Sequence, residues 1–385
     1  MKTQQQLLVS LLDKFKTDLP KSQQTLLKTL FVIICSIIVK ENVNLNKLKN
    51  QVGVITDKKD TLANSHYRRL TRFFDTPFCK YQLWKMILKT VIQQVISTLD
   101  KRSMSKYLLL DGTSWEFGKT KFHFLTLSIV YQGISLPIFF INLAKKGCSN
   151  HLERKRFLQM ANCLYPLKGM TLIADREYVG RQWFNDLIEK FELNFVIRIS
   201  ETDYKLDLQC QGKSYTQLLK KARKGKLVEQ TLILGNQTLR IIATKNQTPE
   251  NQGDSLIILI TNLSLKRQKI LAVYKLRWQI ECLFKCLKSN GFNLEMIAFK
   301  ENKKIRLLFC IVIACYVLCV SEGLKNFKQI TVRQKANTKY ESIFRKGYSL
   351  ISKHCQQLVL LLEWCLEKYN TKKIRPKPEE NNFVQ

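Results

Sequence analysis

The chain has 385 residues, 45% of them hydrophobic, with 64 Lys and Arg against 30 Asp and Glu and a formal net charge of +34. That apolar content excludes a largely disordered chain, and the length predicts a large domain with additions, or two to three domains. The charge points to a polyanion, nucleic acid first, although lysine-preferring codons of an AT-rich genome would supply part of the excess.

The first hundred residues carry helical periodicity, and 1–100 is expected to be a helical, DNA-binding region. Within it, "SHYRRLTRFFDTPF" sets Arg68, Arg69 and Arg72 beside Tyr67, Phe73 and Phe74, a basic helix face with aromatic backing that suits phosphate contact; a solvated surface helix would look the same. The apolar runs Leu30–Val39 and Leu307–Val320 fall short of the roughly 20 residues a membrane span needs, so both are expected to be buried helices and no membrane is expected as a partner. Twelve cysteines form no CxxC pair and only four histidines accompany them, which argues against structural zinc and for a reducing cytoplasm.

From Tyr107 the texture changes to strands: "KYLLLDGT", "FHFLTLSIVYQG" and "ISLPIFFINL", then a helix over 151–164, the strand "MTLIADRE", a helix over 181–191 and the strand "NFVIRIS". Three strands followed by helix, strand, helix and strand describe a mixed α/β layer. Residues 201–254 read as a β-rich insertion around "LVEQTLILGNQTLRIIATK", after which "SLIILITNL" resumes the apolar strand pattern. The core is therefore expected over 101–200 and 255–330. A last helical region over 331–372 is a possible dimerisation element, and 373–385 a disordered tail.

"YKLRWQIECLFKCLK", Tyr274 to Lys288, reads as one helix. At about 100° per residue, Tyr274, Arg277, Glu281 and Lys288 share a stripe roughly 60° wide, along the edge of an apolar arc that includes Ile280, Leu283 and Leu287. Gly291 is a candidate helix stop.

Asp111 and Asp175 each end an apolar strand run, where a rigid element would hold a carboxylate at the sheet edge. Close carboxylates are tolerated when cations neutralise them, and hard oxygen donors without histidine favour magnesium or manganese. Each acid alone has a plainer role: Asp111 a turn with Gly112, Asp175 a cap or a pair with Arg176, Glu281 a pair with Lys285 at i+4. Together Asp111, Asp175 and Glu281 fit two-metal phosphoryl transfer. Arg277 and Lys288 would then hold phosphates, Tyr274 a phosphate or a sugar, and Arg176 joins the candidate DNA contacts. Trp278 would offer a stacking surface or simply pack in the core.

At these residues the chain resembles bacterial insertion-sequence transposases of the Asp-Asp-Glu superfamily, in the branch marked by Tyr, two residues, Arg, three residues, Glu, six residues, Lys. Tyr274, Arg277, Glu281 and Lys288 match that spacing, "LLLDGTSWEFG" and "LIADREYVG" resemble the two aspartate blocks, "FKCLKSNGFNLE" the end of the glutamate block, and "SHYRRLTRFF" the N-terminal region. The likeness spans about residues 60 to 325. It implies an α/β fold with a ribonuclease-H-like mixed-sheet core interrupted by a β-rich insertion. It also implies Asp111, Asp175 and Glu281 as ligands of two Mg2+ ions, with Mn2+ as a substitute, and a homodimer in the synaptic complex acting on double-stranded DNA, the terminal inverted repeats and the target. Cut-and-paste movement would proceed by nicking, hairpin formation, resolution and strand transfer, with a base flipped near the cleavage point. Gly112 departs from the larger residue usual after the first aspartate. Two alternatives are a ribonuclease-H-like nuclease that only hydrolyses, and a basic DNA-binding protein that has lost catalysis.

Overall fold

The computed structural model describes residues 21–326 and 342–355, apart from 57, 59, 100–105, 144, 146 and 248–254. The chain divides into two compact units, residues 1–90 with 289–385, and residues 91–288. The division falls inside one helix and again directly after Lys288. The expected tail over 373–385 and the C-terminal part of the helical region from 356 lie outside the described residues.

The discontinuous unit is helical: α1 (Lys21–Lys40), α2 (Leu45–Ile55), α3 (Ala63–Asp75), a π turn over Cys79–Leu83, and the start of α4 (Trp84–Thr98). Its later segment supplies two more helices, numbered in chain order below. The longer of them, Asn302–Lys325, is buried almost all round, which a hydrophobic run without an amphipathic period predicts. It and α1 are longer than their apolar runs, 24 and 20 residues, so both have the length and composition to cross a membrane. Each packs mainly against other helices of the same unit. In α3 the buried side chains His66, Leu70, Phe73 and Phe74 leave Arg68 and Arg72 exposed on the opposite face.

The second unit is built on one eight-stranded sheet ordered β3-β2-β1-β4-β5-β8-β7-β6. Its elements run β1 (Tyr107–Phe117), β2 (Thr120–Tyr131), β3 (Ile134–Asn142), α5 (His151–Leu164), β4 (Thr171–Ala174), α6 (Arg181–Asn185) continued by a π turn, and β5 (Asn194–Arg198). There follow α7 (Lys205–Cys210), α8 (Tyr215–Arg223), β6 (Val228–Leu234), β7 (Gln237–Lys245), β8 (Leu256–Thr261), α9 (Arg267–Lys275) and α10 (Trp278–Leu287). The helical unit then adds α11 (Asn302–Lys325) and α12 (Ile343–Ser352). β1 pairs antiparallel with β2 and parallel with β4, and β4 parallel with β5. The central strands are near-continuous apolar runs, Leu108–Leu110 and Leu172–Ala174 being fully buried.

Four expectations change. The segment 201–254 is half helical: α7 and α8 precede the β6–β7 hairpin, and that hairpin extends the main sheet through β8. The helix over 274–288 is two helices, because Leu276 and Arg277 tighten to i→i−3 bonds (Arg277 N to Tyr274 O, 2.9 Å; Ile280 N to Arg277 O, 3.1 Å) while keeping helical angles. The second helix ends at Leu287, before Gly291 is reached. The long buried helix α11, placed by the sequence at the end of the core, falls in the unit of the N-terminal helices.

Candidate active site

The sheet register sets the first two carboxylates. Leu110 pairs with Ala174 across the parallel β1 and β4, so Asp111 and Asp175 are the next residues on neighbouring strands, about 4.8 Å apart in backbone spacing. β4 ends there, but β1 does not; it continues through Asp111, opposite Thr126 of β2, to Phe117. Asp111 is therefore a mid-strand residue at the point where its parallel neighbour stops, and the opening beside it comes from the shorter strand.

Each aspartate is oriented by its own neighbour. The Gly112 N–H donates to Asp111 Oδ1 at 2.8 Å, and the Arg176 N–H to Asp175 Oδ1 at 2.8 Å. Tyr274, buried at the end of α9, donates its hydroxyl to the same Asp175 oxygen at 3.4 Å. The turn after Asp175 is pinned from behind by buried Arg154 of α5, whose guanidinium donates to the carbonyls of Ser149 (2.5 Å) and Glu177 (2.7 Å) and lies 5.0 Å from the Tyr178 ring. The Glu177 carboxylate accepts in turn from Ser149 N and Oγ at 3.0 and 3.2 Å.

Arg277, in the joint between α9 and α10, brings the three acids together. Its Nη1 lies 3.7 Å from Asp111 Oδ2 and 3.9 Å from Asp175 Oδ2, while Nη2 is 2.5 Å from Glu281 Oε1. The i+4 pair of the helix is thus Arg277–Glu281, and not the Glu281–Lys285 pair the sequence offered. The side chains of Asp111, Asp175, Glu281 and Arg277 are 19, 30, 25 and 20% exposed, so the cluster is partly shielded from water and its Coulomb terms are larger than at an open surface.

Burial pushes Asp111 up to about 7, with the Gly112 N–H and Arg277 pulling the other way and Asp175 and Glu177 adding to the rise. For Arg277, burial alone would lower the pKa; Tyr274, Asp175, Glu281 and Asp111 outweigh it and raise it. Burial, then Asp175, raises Tyr274. The guanidinium is the resident positive charge of a cage of acids.

Among the described residues no three His, Cys, Asp or Glu side chains are grouped closely enough to hold an ion as they stand; Arg277 lies between the three that the sequence singled out. The donor chemistry nevertheless fits a hard divalent cation: three carboxylates already gathered around one positive charge, with no soft ligand among them.

The other candidates separate. Lys288 caps α10, donates to Ser114 O at 3.1 Å and sits 5.3 Å from the Trp115 ring, three to four residues along β1 from Asp111. Trp278 is 46% exposed, with Lys285 Nζ 4.4 Å from its ring; it is not a core residue. Arg176 is exposed beside Asp175. In the helical unit Arg68 and Arg72 are exposed, whereas Arg69 turns inward and donates to Thr29 Oγ1 at 3.2–3.3 Å.

The sequence reading missed Glu177, Arg154 and His123. Glu177 was visible as the last acid of "DRE"; nothing in the sequence ties Arg154 to it. His123 is buried against Gly112, with Nδ1 2.6 Å from Ser114 Oγ; a β carbon on Gly112 would stand 2.7–2.8 Å from its ring. That accounts for the glycine where a larger residue was expected.

Residues 102–318 match the family model described as "Transposase DDE domain". No curated protein matches the chain. Among solved structures, the chain is similar to a piggyBac transposase synaptic complex with hairpin DNA, at 11% identity and a TM-score of 0.50, over 92% of this chain and 77% of that one. At that identity the likeness is one of fold, a ribonuclease-H-like mixed α/β architecture.

Proposed function

The chain belongs to the transposase DDE domain family, and we propose that it is a cut-and-paste DNA transposase of the insertion-sequence type in which Asp111, Asp175 and Glu281 are the acidic triad. The observation that carries this is the convergence of the three acids on Arg277 from two adjacent strands and one helix. The same three residues would hold two Mg2+ ions, or Mn2+, which when bound supply Lewis-acid activation of a phosphodiester and of the attacking hydroxyl.

The chain's own residues position the DNA. Tyr274 fixes Asp175 by its hydroxyl. Arg277, released from the acids, provides a bidentate phosphate contact next to the scissile bond. Lys288, anchored over Trp115, meets a phosphate further along the strand. Exposed Trp278 offers a face for an unstacked base, and Arg176, Arg68 and Arg72 add backbone contacts. Nicking, hairpin formation and reopening, then joining of the free 3′-hydroxyls to target DNA, would be carried out in a homodimer that pairs two inverted-repeat ends in the cytoplasm, at the nucleoid.

The test is a gel assay with magnesium on duplexes carrying the DNA that flanks the coding sequence. Cleavage followed by joining of a 3′-hydroxyl end to a target plasmid is expected, and Asp175→Ala should lose both by about 10³-fold or more. Cleavage without joining would leave a nuclease; Asp175→Ala cleaving as well as wild type would remove the assignment.

A further inference from the structure

Away from the carboxylates, Lys220, Lys221, Arg223, Lys224 and Lys226 close α8 and the turn after it, with no acid among them. Five of these seven positions are basic, against about one in six for the whole chain (64 of 385), so local density exceeds what composition alone delivers. All five are exposed. Of the acids nearby, Glu201 is taken by Arg223, and Glu229 by Arg240 at 2.5 Å and Arg267 at 3.9 Å. The four lysines carry no ion pair among the described residues, and mutual repulsion makes such a cluster costly unless a polyanion offsets it.

The surface extends toward the site. Arg267 Nη1 donates to Leu227 O at 3.0 Å, joining the turn to the first turn of α9, where Lys266 and Lys269 are also exposed. From Arg267 the chain runs ten residues through α9 to Arg277, roughly 15 Å at helical rise. α8 packs on β6 and β7, and β7 is three strands from β4 in the sheet order, about 14 Å at strand spacing. Either path spans roughly four to five base pairs at about 3.4 Å each.

We propose that the end of α8, the turn over 224–227 and the first turn of α9 form a second DNA contact, which grips the phosphate backbone of the same duplex a few base pairs from the strand held at Asp111 and Asp175. The inference rests on the carboxylates being a DNA-processing site. The occupant is duplex backbone because the surface offers point charges on flexible stems, which suits sequence-independent phosphate contact.

The test compares two triple variants of the full chain, each losing three positive charges. One carries Lys220→Ala, Lys221→Ala and Lys224→Ala. The other carries Lys106→Ala, Lys168→Ala and Lys190→Ala, all exposed and close before β1, β4 and β5, at the opposite ends of those strands from Asp111 and Asp175. Binding to a 40-base-pair duplex of arbitrary sequence is followed by fluorescence anisotropy across salt. The first variant should bind at least about tenfold more weakly at 0.15 M salt and flatten the slope of log K against log salt by two to three, with the cleavage defect in KM rather than kcat; the second should stay near wild type. Equal losses in both variants, or no loss in the first while wild type remains steeply salt-dependent, would overturn the proposal. A flat salt response of wild type itself would instead sink the DNA reading beneath it.

Discussion

Gly112 lies beneath the imidazole of His123, so close that a β carbon would stand 2.7 Å from Cε1. The ring cannot easily yield, because Nδ1 is held by Ser114 Oγ at 2.6 Å and the residue is buried. Gly to Ala at a compatible strand position ordinarily stabilises by about 0.4–1 kcal/mol. Here the clash reverses the sign, and Gly112→Ala should cost about 1–3 kcal/mol in urea unfolding. Adding His123→Ala should recover part of the loss; additive effects in the double variant would show that the two residues do not touch.

Under the proposed function Arg277 would compete with a divalent ion for the same three carboxylates. Each of its ion pairs is partly exposed and worth about 0–1 kcal/mol, so removing the guanidinium should favour the ion by about 1–1.5 kcal/mol, roughly tenfold. Without DNA, Arg277→Gln is expected to bind Mn2+ more tightly than wild type by calorimetry or electron spin resonance, and to bind DNA more weakly. Equal Mn2+ affinity would mean that the arginine keeps its place beside the ions.

Asp111 gives the metal-free protein a pH dependence. Its folded pKa, about 7, lies above the usual 3.8, so between those values the folded state binds the proton and the unfolded state releases it. Stability therefore falls as pH rises across that window. In EDTA, the melting temperature of wild type should drop from pH 5 to pH 8 relative to Asp111→Asn, which lacks the titration. Mn2+ affinity should rise through pH 7, because the proton must leave before the ion binds. A parallel pair of pH profiles would contradict the buried, protonated carboxyl.

In the helical unit α11 and α12 cross at glycines. A β carbon on Gly347 would meet Cys319 O at 1.7 Å, and one on Gly323 would meet Ile343 O at 2.0 Å. Both obstacles are backbone, so only separation of the helices relieves them. Gly347→Ala should cost about 3 kcal/mol or more, against about 0.5 kcal/mol or less for Lys346→Ala one residue away. Similar unfolding midpoints for the two would show that the crossing is looser than described.

Much of the sheet-bearing unit was legible because its signals are local. The helix over 151–164 matches α5 to the residue, its start fixed by the Asn150–Glu153 capping box, and every strand of the sheet lies in a stretch whose pattern reads as strand. α8 was overlooked although Tyr215, Leu218, Leu219 and Ala222 repeat at helical spacing and are all buried; the hairpin beside it drew the whole segment toward strand. The break at Leu276–Arg277 had no proline or glycine to announce it. What the sequence could not show was long-range: that Arg277 would answer all three acids, and that Arg69 would turn toward Thr29 while its neighbours on α3 face outward. Spacing gives the direction of a side chain on its own helix, and the partner comes from elsewhere in the chain.

The helical unit is assembled from two segments separated by nearly two hundred residues, and α1 packs on α11 and α12 of the second segment. At about 5–20 residues per second, the ribosome needs roughly 10–50 s to travel from Thr90 to Lys325. Through that interval the sticky flank of α1 waits on a nascent chain for a mate that has not been synthesised, a natural client for a chaperone. Messages cut short before α11 would therefore yield a product with its acids in place and a helix left unburied, one that clumps instead of working.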